Sequence, residues 1–169
     1  MFGEQARVLA RGGCSLIVLE TMTDLGELEA AVTAVRKEAP EVPVMVMMTF
    51  GKDGRLPAGE APEVVAARLG RLPLAGLGAN CSFGPEGLVP VVERMAAVTA
   101  LPLAAKPNAG IPLSCSPETF ADWGERLVRA GARLIGGCCG TTPAYIRTDR
   151  KSTRLNSSHI QKSRMPSSA

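Results

Sequence analysis

Short, unbroken apolar runs alternate along this chain with longer segments whose apolar positions recur at helical spacing. SLIVLE (15–20) is the first run, and after it Leu25, Leu28, Val32 and Val35 form a stripe behind Asp24 and Glu27, which resemble a capping box. VPVMVMMTF (42–50) predicts a second strand, apolar enough to be buried on both faces as in a parallel sheet. A Gly- and Pro-rich loop, GKDGRLPAGEAP, leads to a helix over 63–69, and AGLGAN (75–80) predicts a third strand weakened by its glycines. Gly84 and Pro85 open a helix striped by Leu88, Val91 or Val92, Met95 and Val98, with Pro at the first helical position. LPLAAKP (101–107) is the fourth strand. Ser116 and Pro117 start a helix with Phe120, Trp123 and Leu127 inside; ARLIGG (132–137) is the fifth strand, and Thr142 with Pro143 begins another helix.

Strand starts roughly 26 to 33 residues apart match the length of one βα repeat, and five consecutive repeats predict a parallel α/β fold. No G-x-G-x-x-G follows a strand, and the near-even repeat favours a (β/α)₈ TIM barrel over a doubly wound sheet. Such a barrel takes about 250 residues, so the expectation is a partial barrel of five βα units. The opening MFGEQARVLARGG reads as the tail of a helix leading into a strand, so the chain is expected to be truncated at both ends. Five of eight strands cannot close a barrel, and two open edges invite aggregation; weak or no turnover is expected of this polypeptide alone.

The chain has 169 residues, 46% hydrophobic and 21% charged, enough for one domain with a core. Its formal charge of +3 at first leaves nucleic-acid binding open. From Asp149 onward, however, DRKSTRLNSSHIQKSRMPSSA has no apolar period. DRKSTRLNSSH and SRMPSSA resemble one reading frame of a sequencing-library adapter, with Ile160, Gln161 and Lys162 where an index would fall. The expected organisation is therefore a partial barrel over 1–148 and a disordered tail of translated read-through over 149–169. Without the tail, Lys plus Arg falls from 19 to 14 and Asp plus Glu from 16 to 15, leaving −1. The basic character goes, and with aromatic residues at 4% there is little for base stacking, so no nucleic-acid partner is expected. No apolar run approaches the roughly 20 residues of a membrane span, and no basic-then-apolar leader opens the chain, so the expected setting is cytoplasmic. The one histidine, His159, also leaves with the tail, excluding Ser-His and Cys-His pairs and His-ligated metal from residues 1–148.

In a parallel barrel the chemistry sits at the C-terminal ends of the strands, which here close on Glu20, Thr49, Cys81, Asn108 and the pair Cys138 and Cys139. Taken alone, Cys138 and Cys139 also fit small buried hydrophobes at a strand end. Together with Cys81, at the same mouth of a closed barrel, they predict a soft metal site without histidine, with zinc the leading candidate. Three ligands leave a position open. Three thiolates make a poor generator of hydroxide but suit the binding of an incoming thiol as thiolate, so alkyl transfer to sulfur is the chemistry to expect. Glu20 also fits a helix cap and Asn108 a turn residue before Gly110. Cys14 and Cys115 match no ligand motif, Lys106 has no assigned role, and Met45, Met47 and Met48 read as core filling.

ETMTD (20–24), GANCSFGPEGLVP (78–90), KPNAG (106–110) and GGCCGTTPAYIR (136–147) together resemble the homocysteine S-methyltransferase domain family, most of all the homocysteine-binding module of cobalamin-dependent methionine synthases. The resemblance spans residues 2–147. It implies a (β/α)₈ barrel in which Cys81, Cys138 and Cys139 hold Zn²⁺ and act on homocysteine to give methionine. Carried over by motif, Glu20 takes the substrate amino group, Asn108 lies near the metal and can fill the open position when substrate is absent, and Ser82, with Phe83 and Gly84, helps to hold substrate. It also implies methylcobalamin on a separate module, with folate- and cobalamin-binding modules in the intact protein. A cobalamin-independent enzyme using S-methylmethionine, S-adenosylmethionine or betaine, and a non-catalytic zinc-binding fragment, are the alternatives. By the resemblance the chain holds about the last five βα units of the barrel, the family's three before ETMTD being missing with their share of the pocket. Resequencing the gene past the codon for Thr148 tests the tail reading, which an uninterrupted genomic frame would overturn.

Overall fold

In a computed structural model, which describes residues 1–109 and 115–151, helices and strands alternate as the apolar pattern requires. Helix α1 (Phe2–Arg11) precedes β1 (Ile17–Met22), α2 (Leu25–Glu38), β2 (Val44–Met48), α3 (Pro62–Leu69) and β3 (Gly76–Asn80). Then follow α4 (Pro85–Ala96), β4 (Leu103–Lys106), α5 (Pro117–Ala130) and β5 (Ala132–Ile135). A last helix, α6, covers 143–151. The strands form one sheet in the order β1-β2-β3-β4-β5, parallel at each described pairing. That is the arrangement of five consecutive units of a (β/α)₈ barrel. Gly110 and residues 152–169, His159 among them, lie outside the described residues.

Local sequence sets the helix starts. Asp24 accepts a hydrogen bond from the Glu27 N–H at 2.7 Å and Ser116 from the Thr119 N–H at 3.2 Å, each meeting one of the donors that a helix leaves unpaired in its first turn. Proline at the first turn of α3, α4 and α5 fits because no N–H is needed there.

Alternation along each strand divides the side chains between two faces. Leu19, Val46, Met48, Leu77 and Leu103 join Leu28, Val35, Val65, Leu88, Met95 and Leu127 in one large core between sheet and helices. On the opposite face, the inner one in barrel terms, Met45, Met47 and Ala104 form a separate small cluster. β2 and β3 are buried at every position, as the apolar run of β2 predicts. β1 is more open: Val18 on its inner face is 40% exposed and Glu20 is exposed beside it, because no described strand lies beyond β1. At the other edge Leu134 of β5 is 46% exposed for the same reason.

The outer helices are laced to their neighbours by Arg68 on Glu29 at 2.6 Å and Arg94 on Glu63 at 2.7 Å. A side-chain hydrogen bond from Arg94 holds the Glu63 carboxyl below its ordinary range. α6 crosses position 148, where the composition changes, and buries Asp149 beside Gly124 of α5. Burial pushes the Asp149 carboxyl up. Edge-to-face packing of Tyr145 on Phe120, centroids 5.5 Å apart, fixes α6 to α5.

The centre of the sheet rests on a close approach. A Cβ at Gly78 of β3 would fall inside the Ala104 carbonyl of β4, a backbone group that cannot swing aside. We expect Gly78→Ala to destabilise the protein by about 3 kcal/mol, the upper range for overpacking, read as a lower urea midpoint; an unchanged midpoint would show that β3 and β4 separate without penalty.

Candidate metal and thiol site

Every residue gathered here comes from the C-terminal end of a strand or the loop behind it. β3 ends at Asn80, and the chain then turns sharply, with Cys81 at φ 62° and Ser82 at φ 57°. Left-handed backbone is uncommon for two successive residues with side chains, so surrounding bonds must hold it. The Cys81 N–H donates to the Lys106 carbonyl at 3.1 Å, and the Phe83 carbonyl accepts from the Asn108 N–H at 2.8 Å. Beyond β5, the Cys138 N–H donates to the Pro107 carbonyl at 2.9 Å, and the Cys139 carbonyl accepts from the Ala109 N–H at 2.8 Å. Thr141 closes the turn, its hydroxyl donating to the Cys138 carbonyl at 2.7 Å. Both cysteine loops are thus bonded to the same stretch, 106–109.

The result is a cluster of three thiols. The sulfurs of Cys81, Cys138 and Cys139 all lie within 4.8 Å of one another, with Cys81 to Cys139 and Cys138 to Cys139 both at 3.9 Å. A tetrahedral zinc with Zn–S bonds of about 2.3 Å would set its sulfurs about 3.8 Å apart, so the donor set fits the ion in both chemistry and spacing. Two carboxamides point N–H groups at the sulfurs: Asn80 Nδ2 at 3.8 Å from Cys138 Sγ and Asn108 Nδ2 at 3.9 Å from Cys81 Sγ. Desolvation raises the Cys81 thiol, but the Ser82 N–H, Cys139, Asn108 and Cys138 together outweigh it and leave Cys81 below its ordinary value. Hydrogen bonding to Cys81 drives Cys139 the other way. Of crowded thiols, one ionises first and its charge holds the next proton on.

Asn80 is the member that the sequence reading passed over. It is fully buried, and its carboxamide accepts from the Thr21 N–H at 3.0 Å and from the Thr49 hydroxyl at 3.4 Å while donating to Thr21 Oγ1 at 2.8 Å. Thr21 is held at φ 63°, rare for a β-branched residue. A polar residue closing a buried, glycine-rich strand was the available signal. Thr49, singled out by position, donates to the Asn80 carbonyl at 3.0 Å and so serves β3.

The other expected residues fall nearby. Asn108 is 5% exposed and its Oδ1 accepts from the Cys139 N–H at 3.1 Å, so in this arrangement its oxygen is turned to the backbone of the cluster. Ser82 lies in the strained turn. Glu20, which closes the first apolar run, is exposed, and its carboxylate is ion-paired with Lys106. Cys14 packs against the outer core, whereas the Cys115 carbonyl accepts from Tyr145 and its thiol is pushed up by burial; neither joins the cluster.

The family model for homocysteine S-methyltransferase matches residues 1–152. Methionine synthase of Mycobacterium leprae is 29% identical over 159 residues, covering 86% of this chain and 13% of that protein. The homocysteine methyltransferase MmuM from Escherichia coli superposes in its apo form with TM-score 0.70 at 29% identity, covering 89% of this chain and 57% of that one. Its metallated form gives TM-score 0.72 at 29% identity over 88% and 51%. This chain therefore spans about an eighth of the synthase and just over half of the solved methyltransferase.

Removing the buried carboxamide tests whether it holds the site. Asn80→Ala is expected to cost about 1–3 kcal/mol, because the Thr21 N–H loses its acceptor and the Thr21 hydroxyl its donor while Thr49 keeps the Asn80 carbonyl, measured by urea unfolding. A loss within error would show that Thr21 does not rely on it.

Proposed function

Since the chain belongs to the homocysteine S-methyltransferase family, we propose that it is the acceptor half of an enzyme that transfers a methyl group to the thiolate of homocysteine, giving methionine. The observation that carries this reading is the three-sulfur cluster at the strand ends, spaced for one zinc ion and supplied with amide donors. Cys81, Cys138 and Cys139 would hold the ion. When bound by three thiolates, zinc would keep an added thiol ionised at neutral pH while being too electron-rich to favour hydroxide.

The chain's own groups do the rest. Asn80, Asn108 and the Ser82 N–H direct donors at cysteine sulfur, spreading negative charge that three neighbouring thiolates would otherwise concentrate. Glu20 receives the substrate ammonium, and Ser82 and Asn108 border the substrate. The substrate thiol gives up its proton, its sulfur attacks the methyl carbon, and the electron pair of the breaking bond leaves with the donor. The acceptor half is common to two donors. In the methionine-synthase reading the methyl group comes from methylcobalamin on a separate module beside a folate-binding one. In the alternative it comes from S-methylmethionine, S-adenosylmethionine or betaine. A cytoplasmic setting belongs to the same reading. No described helix is long and apolar enough to cross a membrane.

Zinc content after dialysis tests this reading. The chain should retain one Zn²⁺ per molecule, releasing protons as it binds, and Cys138→Ala should lose it, along with methyl transfer in the complete barrel. Equal zinc retention by Cys138→Ala would refute the ligand assignment.

A further inference from the structure

The five strands among the described residues contribute three charged residues, and two of them meet. Arg133 is the second residue of β5, near its N-terminal end, whereas Glu20 of β1 and Lys106 of β4 lie at the C-terminal rim and pair across the inner face, over β2 and β3. The Lys106 stem runs along Gly136, where a Cβ would sit 3.0 Å from its Cγ, so the absence of a side chain at 136 leaves the lysine its path. Both partners are open to solvent, at 30% and 40% side-chain exposure. An exposed pair of this kind contributes little to stability and opens readily to a ligand that satisfies both charges.

The pair also adjoins the thiol cluster by short routes. The Lys106 carbonyl holds the Cys81 N–H, and Glu20 precedes Thr21, whose N–H and hydroxyl bind Asn80, which in turn reaches Cys138 Sγ. A ligand with sulfur at the cluster, one cationic group and one anionic group would meet a soft site, a carboxylate and an ammonium on one rim. An α-amino acid with a side-chain thiol has that pattern.

We propose that Lys106 is a specificity residue that binds the carboxylate of the thiol substrate, releasing Glu20 to the substrate ammonium, so that the two residues exchange each other for the two ends of a zwitterion. This rests on the methyl-acceptor reading above. Lys106 discriminates amino-acid thiols from thiols lacking a carboxylate, and in the free protein it keeps the Glu20 carboxylate neutralised.

Calorimetric titration of the full, Zn²⁺-loaded chain with homocysteine, its decarboxylated analogue and its deaminated analogue tests this. Lys106→Met should weaken homocysteine about 10- to 100-fold, the loss of one charge-assisted hydrogen bond, and should not weaken the decarboxylated analogue, for which it leaves Glu20 free. Lys106→Arg should restore most of the difference, and Glu20→Gln should weaken both amine-bearing thiols while sparing the deaminated one. If Lys106→Met weakens homocysteine and its decarboxylated analogue alike, or neither, the inference is overturned while the acceptor reading stands. If the parent chain binds none of the three thiols, Glu20 and Lys106 do not make a site for a zwitterion and the inference is overturned, while the acceptor reading is decided by the zinc retention and methyl transfer of Cys138→Ala. Loss of Zn²⁺ from both Lys106→Met and Lys106→Arg would make the lysine a structural support and also overturn the inference.

Discussion

A buried carboxamide must use its whole hydrogen-bonding capacity or carry a large desolvation cost, and Asn80 uses both ends. Its oxygen accepts from the Thr21 N–H of β1 and the Thr49 hydroxyl behind β2, while its nitrogen donates to the Thr21 hydroxyl and points to Cys138 Sγ. One side chain at the end of the central strand thus ties the edge strand, the next strand and the loop behind β5 to a single point. Of the described left-handed residues with side chains, Thr21 is its bonded partner and Cys81 and Ser82 are the two residues that follow it. Strain of this kind persists only where neighbours over-determine the backbone. Thr21 offers both its N–H and its hydroxyl to Asn80, which fixes φ and ψ against the preference of a β-branched residue.

The sulfur spacing has a second source. Cys81 and Cys138 lie on loops two strands apart, and neither loop bonds to the other through its backbone. Each bonds to the extension of β4: Cys81 to Lys106, Phe83 to Asn108, Cys138 to Pro107 and Cys139 to Ala109. The in-register pairing of β3 with β4, Leu77 on Leu103 through Asn80 on Lys106, therefore sets where the template begins. A slip of one residue would turn Asn80 to the outer face and carry Cys81 away from Cys138 and Cys139. Gly78, pressed on the Ala104 carbonyl, resists such a slip.

These dependencies explain which features the sequence discloses. Asp24, Ser116 and the prolines that open helices act within one turn, so their residue types reveal them. The five strands were legible because each is a short apolar run, and the cysteine cluster because strand order brings the ends of β3 and β5 to either side of β4. What the sequence hid was long-range: the openness of β1, which depends on what lies beside it, the role of Asn80, whose partners are 59, 31 and 58 residues away, and the Lys106–Glu20 pair, 86 apart. The 148/149 point was legible as a change of composition, yet α6 runs through it, since helix continuation needs only Tyr145 and its neighbours packed on α5.

The two faces of the sheet follow different rules, and the difference serves the rim. The outer face is filled by interlocking Leu, Val and Met from strands and helices. Barrel interiors are ordinarily filled by branched side chains in layers, but here the inner positions of β3 and β4 below the rim are Gly76, Gly78 and Ala104, and Met45 folds its methyl over the space at Gly76. Methionine suits that task because its unbranched chain adapts to an irregular gap. Small residues under the rim keep the backbones of β3 and β4 close, which holds the template for the cysteine loops, and the adaptable methionines make the floor apolar. An apolar floor leaves the charges at the mouth with few competing dipoles from below. Glu20 and Lys106, standing above this floor and open to solvent, pair with each other and leave the floor to the methionines.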